Sequence, residues 1–301
     1  MDVEDLRRKA DDRVACIMLT NPNTLGLFDR NIEEIARITH DAGATLYYDG
    51  ANLNAIMGMS RPGDMGFDIV HFNLHKSFTQ PHGGGGPGAG PIAVSDRMEP
   101  YLMTPRVVRH EDEDGAARFD LDHDGPKSIG RLRGFQGNFG VFVRSYAYIC
   151  SLGAAGLREA SEIAVLNANY LLALMRRPEI APYLPAAFGD RCMHEFVLSG
   201  APMKRDLGIR TTDLAKRLLD FGYHPPTVYF PLLVEEALLV EPTETETRET
   251  LEAFAEVIGE ILREAAGDPE IARNAPYSTP VRRLDEAAAA RSPVVRQPRP
   301  E

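Results

Sequence analysis

The chain has 301 residues, 44% hydrophobic and 26% charged, the balance of a globular protein of one large or two modest domains. A formal net charge of −11 argues against nucleic acid and anionic membrane surfaces as partners, and no stretch approaches the roughly 20 apolar residues that span a bilayer. The charged start is no secretion signal, and Cys16, Cys150 and Cys192, without CxxC spacing, read as reduced, buried thiols in a cytoplasm-like compartment.

In chain order, a charged stretch over residues 2–13 precedes the apolar run 14–19, which predicts a buried strand closed by Asn21, Pro22 and Asn23. Ile32, Ile35, Ala36, Ile38 and Thr39 sit at helical spacing, and Asp41-Ala42-Gly43 ends that helix. Strands are expected at 44–48, 67–72 and 90–94. Strand, helix and strand in alternation argue for an α/β fold with a parallel sheet, whose ligands sit beyond the carboxyl ends of the strands. Asn21, Asp49 and Lys76 fall at such ends. The run Glu111-Asp112-Glu113-Asp114 reads as a solvated loop. Residues 140–177 are helical in pattern, a connector from a large domain to a smaller one. That smaller domain has strands near 195–198 and 237–240 and helices near 212–221 and 245–265. From about residue 285 the sequence loses periodicity and is expected to be disordered.

The most informative segment runs from Asp68 to Ser77, with Tyr48-Asp49-Gly50-Ala51-Asn52 before it and Gly83-Gly84-Gly85-Gly86-Pro87-Gly88 after it. An apolar strand there presents His75 and Lys76, and then a loop almost without side chains. A lysine desolvated beside a strand end is nucleophilic as the free amine and can form a Schiff base with an aldehyde cofactor. An aspartate at an earlier strand end can hold a protonated ring nitrogen. Lys76 and Asp49 would thus supply the two groups that pyridoxal 5′-phosphate most needs. Their separation of 27 positions allows one crossover and one return strand, so that both lie on one edge of a parallel sheet.

Other constellations are weaker. The tetraglycine run, Gly84 and Gly85 included, reads either as a phosphate cradle or as a close passage beside the cofactor, and is not a Walker loop. His71, His75 and His82 do not form a metal site by spacing, because Phe72 stands where the helical zinc motif needs Glu and residues four apart on a strand are too distant. No metal is expected. Asp120, Asp122 and Asp124 match half of a calcium loop, but Arg131 replaces the bidentate Glu. Thr243 and Glu246 form a capping box opening the next helix, with Glu241 and Glu246 as candidate carboxylates. Arg191 and His194 are candidates for a substrate carboxylate.

Phe72-Asn73-Leu74-His75-Lys76-Ser77-Phe78, followed by residues 81–91, resembles the lysine region of glycine dehydrogenase (decarboxylating), the P-protein of the glycine cleavage system, in its second-subunit form. Further matches are residues 19–26, Asp49-Gly50-Ala51-Asn52, residues 126–131, Gly137-Asn138-Phe139-Gly140, residues 191–196, residues 224–231 and residues 241–246. The resemblance implies the aspartate aminotransferase fold type: a partial cofactor-binding large domain over 1–140, a connector over 141–177, a small α/β domain over 178–284 and a tail over 285–301. It implies decarboxylation of glycine with transfer of the aminomethyl group to the lipoyl arm of H-protein. It also implies pairing with the homologous first subunit in a hetero-oligomer, and a cytoplasmic location. Lys76, Asp49 and His75 would be catalytic, and with Asn21, Asn52, Ser77, Gly84 and Gly85 would bind the cofactor. The family's N-terminal strands have no counterpart here, which implies a fragment, or a split or truncated gene whose other half is supplied separately.

Overall fold

A computed structural model describes residues 1–80, 86–132 and 137–296. The chain divides into two compact units, Met1–Ala164 and Val165–Glu301, with the division inside the helical run.

The first unit opens with α1 (Val3–Lys9), a helix with no buried residue. It carries no apolar stripe, so its sequence signal lies in Asp2, whose carboxylate accepts the Asp5 N–H at 3.0 Å, and in the Asp5–Lys9 pair one turn apart. Then come β1 (Cys16–Leu19), α2 (Ile32–Asp41), β2 (Thr45–Gly50), β3 (Ile69–Phe72), the single turn α3 (Leu74–Ser77) and β4 (Ile92–Val94). The strands form one sheet in the order β1-β2-β3-β4, with β1, β2 and β3 parallel. α2 buries Ile32, Ile35, Ala36, Ile38 and Thr39, the set expected from its spacing.

Two expectations need correction here. β1 is an edge strand with Cys16 and Met18 exposed, not a strand buried on both faces. β4 runs antiparallel to β3, with the Phe72 N–H donating to Pro91 O at 2.9 Å. The cysteine reading changes too: Cys192 is buried, whereas Cys16 and Cys150 are exposed.

A hairpin follows, β5 (Arg106–Glu111) and β6 (Ala117–Asp122), turning through Gly115 at φ 76°. The acid run is partly its turn, and Asp120 and Asp122 lie on strand, so the half-match to a calcium loop is not a loop at all. Val107, Phe119 and Leu121 are exposed, so the hairpin buries no apolar face, although Ala117–Asp122 alternates apolar and polar residues as a strand does. The helical run is α4 (Phe139–Leu174), interrupted at Gly153, whose φ of 61° is open to glycine at little cost.

The second unit contains β7 (Phe196–Ser199), α5 (Ala201–Leu207), α6 (Thr211–Asp220), β8 (Thr227–Val228), β9 (Ala237–Val240), α7 (Arg248–Gly267) and α8 (Glu270–Arg273). Its antiparallel sheet has the order β7-β9-β8. Leu171, Leu172, Leu198, Leu214, Leu238 and Ile258 meet in its core, each all but fully buried. The N-cap of α7 is Thr247, which accepts the Thr250 N–H at 3.2 Å, rather than Thr243. Thr243 instead pairs its hydroxyl with Thr245, and its carbonyl accepts from Asn167 Nδ2 at 2.9 Å, so the expected capping box is not formed.

Asp220 ends α6 with a carboxylate 5% exposed, paired with Arg217 at 3.0 Å. It accepts the Tyr277 and Ser278 N–H groups at 2.6 and 2.7 Å and the Ser278 hydroxyl at 2.9 Å. Burial alone would raise its pKa, but the bonds from Ser278, Tyr277 and Arg217 outweigh burial and hold it below the ordinary value. A group depressed in this way contributes stability above its unfolded pKa of about 4, and that contribution is lost as pH falls through the folded value. Asp220→Ala is expected to lose about 2–3 kcal/mol at pH 7. In urea unfolding the gap from the parent should narrow below about pH 4; equal midpoints at pH 7 would refute this account.

Candidate active site

Parallel pairing of β2 with β3 sets Asp49 opposite His71, with Tyr47 and Asp49 two apart and so on one face of β2. His71 Nε2 lies 3.0 Å from Asp49 Oδ1, and its Nδ1 lies 2.9 Å from the Tyr47 hydroxyl. The Ala51 N–H donates to Asp49 Oδ1 at 2.9 Å. The Asp49 carboxylate, 36% exposed, is thereby fixed at the carboxyl end of its strand while remaining accessible. Gly50 follows it because a Cβ there would stand 2.1 Å from His71 O, so no other residue fits against β3.

Lys76 sits on α3, just past the carboxyl end of β3, and is exposed. The desolvation expected for it is not provided by the described residues of this chain. Ser77 is buried, and its hydroxyl accepts the Leu53 N–H at 3.0 Å, tying the lysine turn to the loop after Asp49. Asn52 closes that loop by accepting the Asn54 N–H at 2.9 Å. On the other side of the turn, Gln80 donates to Val141 O and Ser145 Oγ at 3.3 and 3.4 Å.

His75 faces the returning segment: its Nδ1 accepts the Ala89 N–H at 3.3 Å, and a Cβ on Gly88 would meet it at 2.9 Å. Asn21 is fully buried and its amide is spent locally, accepting the Asp29 N–H at 2.8 Å and donating toward Asp29 O and the Met65 sulfur. Its side chain therefore supports the turn after β1. Gly84 and Gly85, like His82, lie outside the described residues. The structure thus brings Asp49, Asn52, Lys76 and Ser77 together around two neighbouring strand ends. The residues that a sequence reading missed are Tyr47 and His71, whose signal was their place on the faces of adjacent strands.

A cavity of about 200 Å³ lies in the second unit, lined by Tyr223, His224, Glu241 and Glu246 among others. None of Asp49, His71 and Lys76 lines it. Beside it, Glu195 is buried, and burial, followed by the neighbouring Glu241 carboxylate, pushes its carboxyl up to about 8. Burial also pushes the His194 imidazole below its ordinary value, against the opposing pull of Glu241.

Residues 160–276 match the family model of the glycine dehydrogenase C-terminal domain. The probable glycine dehydrogenase (decarboxylating) subunit 2 of Caldanaerobacter subterraneus subsp. tengcongensis is 58% identical over 296 residues, 98% of this chain and 59% of that protein. This chain is a homologue of that subunit over nearly its whole length. The corresponding protein of Bacillus velezensis is 56% identical over 299 residues, 99% of this chain and again 59% of the relative. The chain therefore spans about three-fifths of the length of the curated relatives it matches.

Among solved structures, a glycine decarboxylase (P-protein) of the glycine cleavage system in inhibitor-bound form aligns with a TM-score of 0.71 at 23% identity, over 83% of this chain and 55% of that one. A cysteine desulfurase from Thermococcus onnurineus NA1 aligns with a TM-score of 0.64 at 18% identity, over 87% and 63% of the two chains. At such identities the likeness shows the fold, the mixed α/β architecture of the aspartate aminotransferase type. No helix among the described residues is long and apolar enough to cross a membrane.

Proposed function

We propose that this chain carries the lysine and aspartate of a glycine-decarboxylating site that uses pyridoxal 5′-phosphate, in an assembly with a homologous first subunit in the cytoplasm. The observation that carries the reading is the placement of Asp49 and Lys76 at the carboxyl ends of adjacent parallel strands, in a chain 58% identical to a glycine dehydrogenase subunit 2. The residues fit the cofactor by the chemistry of the donor set: an accessible carboxylate held by His71, and an accessible primary amine one strand away.

When bound, pyridoxal phosphate supplies a sink for the electron pair left behind by departing CO2. Lys76 would be the residue that holds the cofactor covalently, through its primary amine at the end of β3. Asp49 would hold the ring nitrogen in its protonated form, with a carboxylate fixed by His71 and the Ala51 N–H. His71, hydrogen-bonded on its other side to Tyr47, fixes the orientation of the carboxylate. Ser77 keeps the lysine turn and the Asp49 loop in one register, and His75 is assigned to the cofactor's ring or phosphate. Asn52, in the loop tied to the lysine turn, is assigned to the surroundings of the cofactor.

The acceptor of the aminomethyl group is the lipoyl arm of H-protein, which makes the chain part of an oxidoreductase. Exchange of the glycine carboxyl carbon with bicarbonate tests this reading, assayed with the full chain, the first subunit and lipoylated H-protein. Exchange that requires both H-protein and this chain is expected. Exchange that proceeds equally well without H-protein would point instead to another enzyme of the same fold, such as a lyase or a transaminase.

A further inference from the structure

His194 is 2% exposed, and neither of its ring nitrogens has a hydrogen-bond partner among the described residues. A buried imidazole left in this state is costly, because each polar atom has given up water for nothing. Around it stand two carboxylates. His194 Nε2 lies 3.6 Å from Glu195 Oε1 and 3.9 Å from Glu241 Oε1, and one ligand atom from each residue falls within 4.8 Å of the other two. These separations are too long for good hydrogen bonds. They are close to those between ligands of one ion: with metal bonds of about 2.0–2.1 Å, tetrahedral neighbours lie roughly 3.4 Å apart.

The fold makes this arrangement for a definite reason. β7 and β9 are antiparallel with Phe196 paired to Val240, so continuing the register by one residue sets Glu195 opposite Glu241 at the same end of the sheet, with His194 next along the chain. Two carboxyl groups placed in register at one end of the sheet present oxygen ligands toward the same point, and a cation between them can take the place of the proton that would otherwise relieve their repulsion. Glu241 is 33% exposed and also lines the cavity of about 200 Å³, which gives an ion a route to the imidazole.

We propose that His194, Glu195 and Glu241 bind one zinc ion in the C-terminal unit. The donor set selects the metal class. An imidazole nitrogen disfavours calcium and magnesium, which take oxygen ligands, whereas one nitrogen and two carboxylate oxygens suit zinc. The site does not depend on the cofactor chemistry proposed for Asp49 and Lys76, so either reading can fail alone.

The test is calorimetric titration of Zn2+ alone into the full chain after chelator treatment, with Co2+ as a spectroscopic probe of nitrogen and oxygen ligation. One equivalent of zinc is expected to bind, and Co2+ is expected to give a visible band that zinc abolishes. Glu241→Gln, at the partly exposed ligand, should weaken binding by at least roughly tenfold. His194→Gln should abolish it while far-UV circular dichroism in chelator stays that of the parent; if that variant does not fold, Glu241→Gln decides. Absence of a saturable equivalent, or unchanged zinc affinity in Glu241→Gln, would overturn the proposal.

Discussion

Lys76→Ala, incubated with pyridoxal 5′-phosphate, is expected to lack the borohydride-sensitive visible band that the parent chain forms. The chain has five lysines: Lys9, Lys76, Lys127, Lys204 and Lys216. Lys9 is paired with Asp5 at 2.6 Å, and Lys204 with Glu236 at 3.3 Å, so their amines are held protonated by charged partners. Lys76 instead follows the carboxyl end of β3, beside the strand that ends in Asp49, where ligands of open α/β sheets collect. Lys9→Ala, which alters an ion pair on the solvated surface of α1, should keep the full band. Visible spectra before and after borohydride, recorded for the parent and both variants, check this. A band of parental intensity in Lys76→Ala would remove the lysine assignment and with it the cofactor site as drawn. The exposure of Lys76 makes the result informative about attachment itself, because truncating an exposed side chain on a one-turn helix leaves no buried cavity.

The parts of this site that were legible in the sequence are those fixed by order along the chain. An apolar run that ends near Asp49, and another that ends just before His75 and Lys76, separated by enough chain for one crossover, allow parallel neighbours with both ends on one edge. The observed register has that form. Likewise α2 follows from the spacing of its apolar residues, because it buries what its periodicity says it should. What lay hidden depends on pairing across the chain. His71 reads on its own strand as a poor metal ligand four residues from His75. Only the pairing of Asp49 with His71 turns it into the partner of the aspartate, with Tyr47 behind it. The cluster at His194 was hidden for the same reason, since Glu195 and Glu241 are 46 positions apart and meet through the β7–β9 ladder. The helix α1 was hidden differently, because it is short and buries no face, whereas the alternation of Ala117–Asp122 was a strand signal present in the sequence.

Asp49→Asn is expected to retain a lysine-dependent band while losing nearly all exchange of glycine carbon with bicarbonate. The substitution preserves the size of the side chain and the hydrogen bond from the Ala51 N–H, so the loop after β2 should hold its shape. What it removes is the negative charge. An opposite charge at hydrogen-bond distance favours the protonated form of a ring nitrogen by about 1–3 pKa units, each worth about 1.36 kcal/mol. Because the positive ring nitrogen is what draws the electron pair away from the carbon losing CO2, a deficit of that size in the transition state slows exchange by roughly 10- to 1000-fold. The amide can also turn its NH2 toward the pyridine nitrogen and stabilise it unprotonated, which pushes the effect toward the upper end. Binding should weaken far less than turnover, since the attachment through Lys76 remains. The measurement is the exchange rate with lipoylated H-protein and first subunit present, alongside the intensity of the visible band in the same preparation. Parental exchange would show that this carboxylate does not face the ring nitrogen. Loss of band and exchange together, with the fold intact, would assign Asp49 to holding the lysine turn instead.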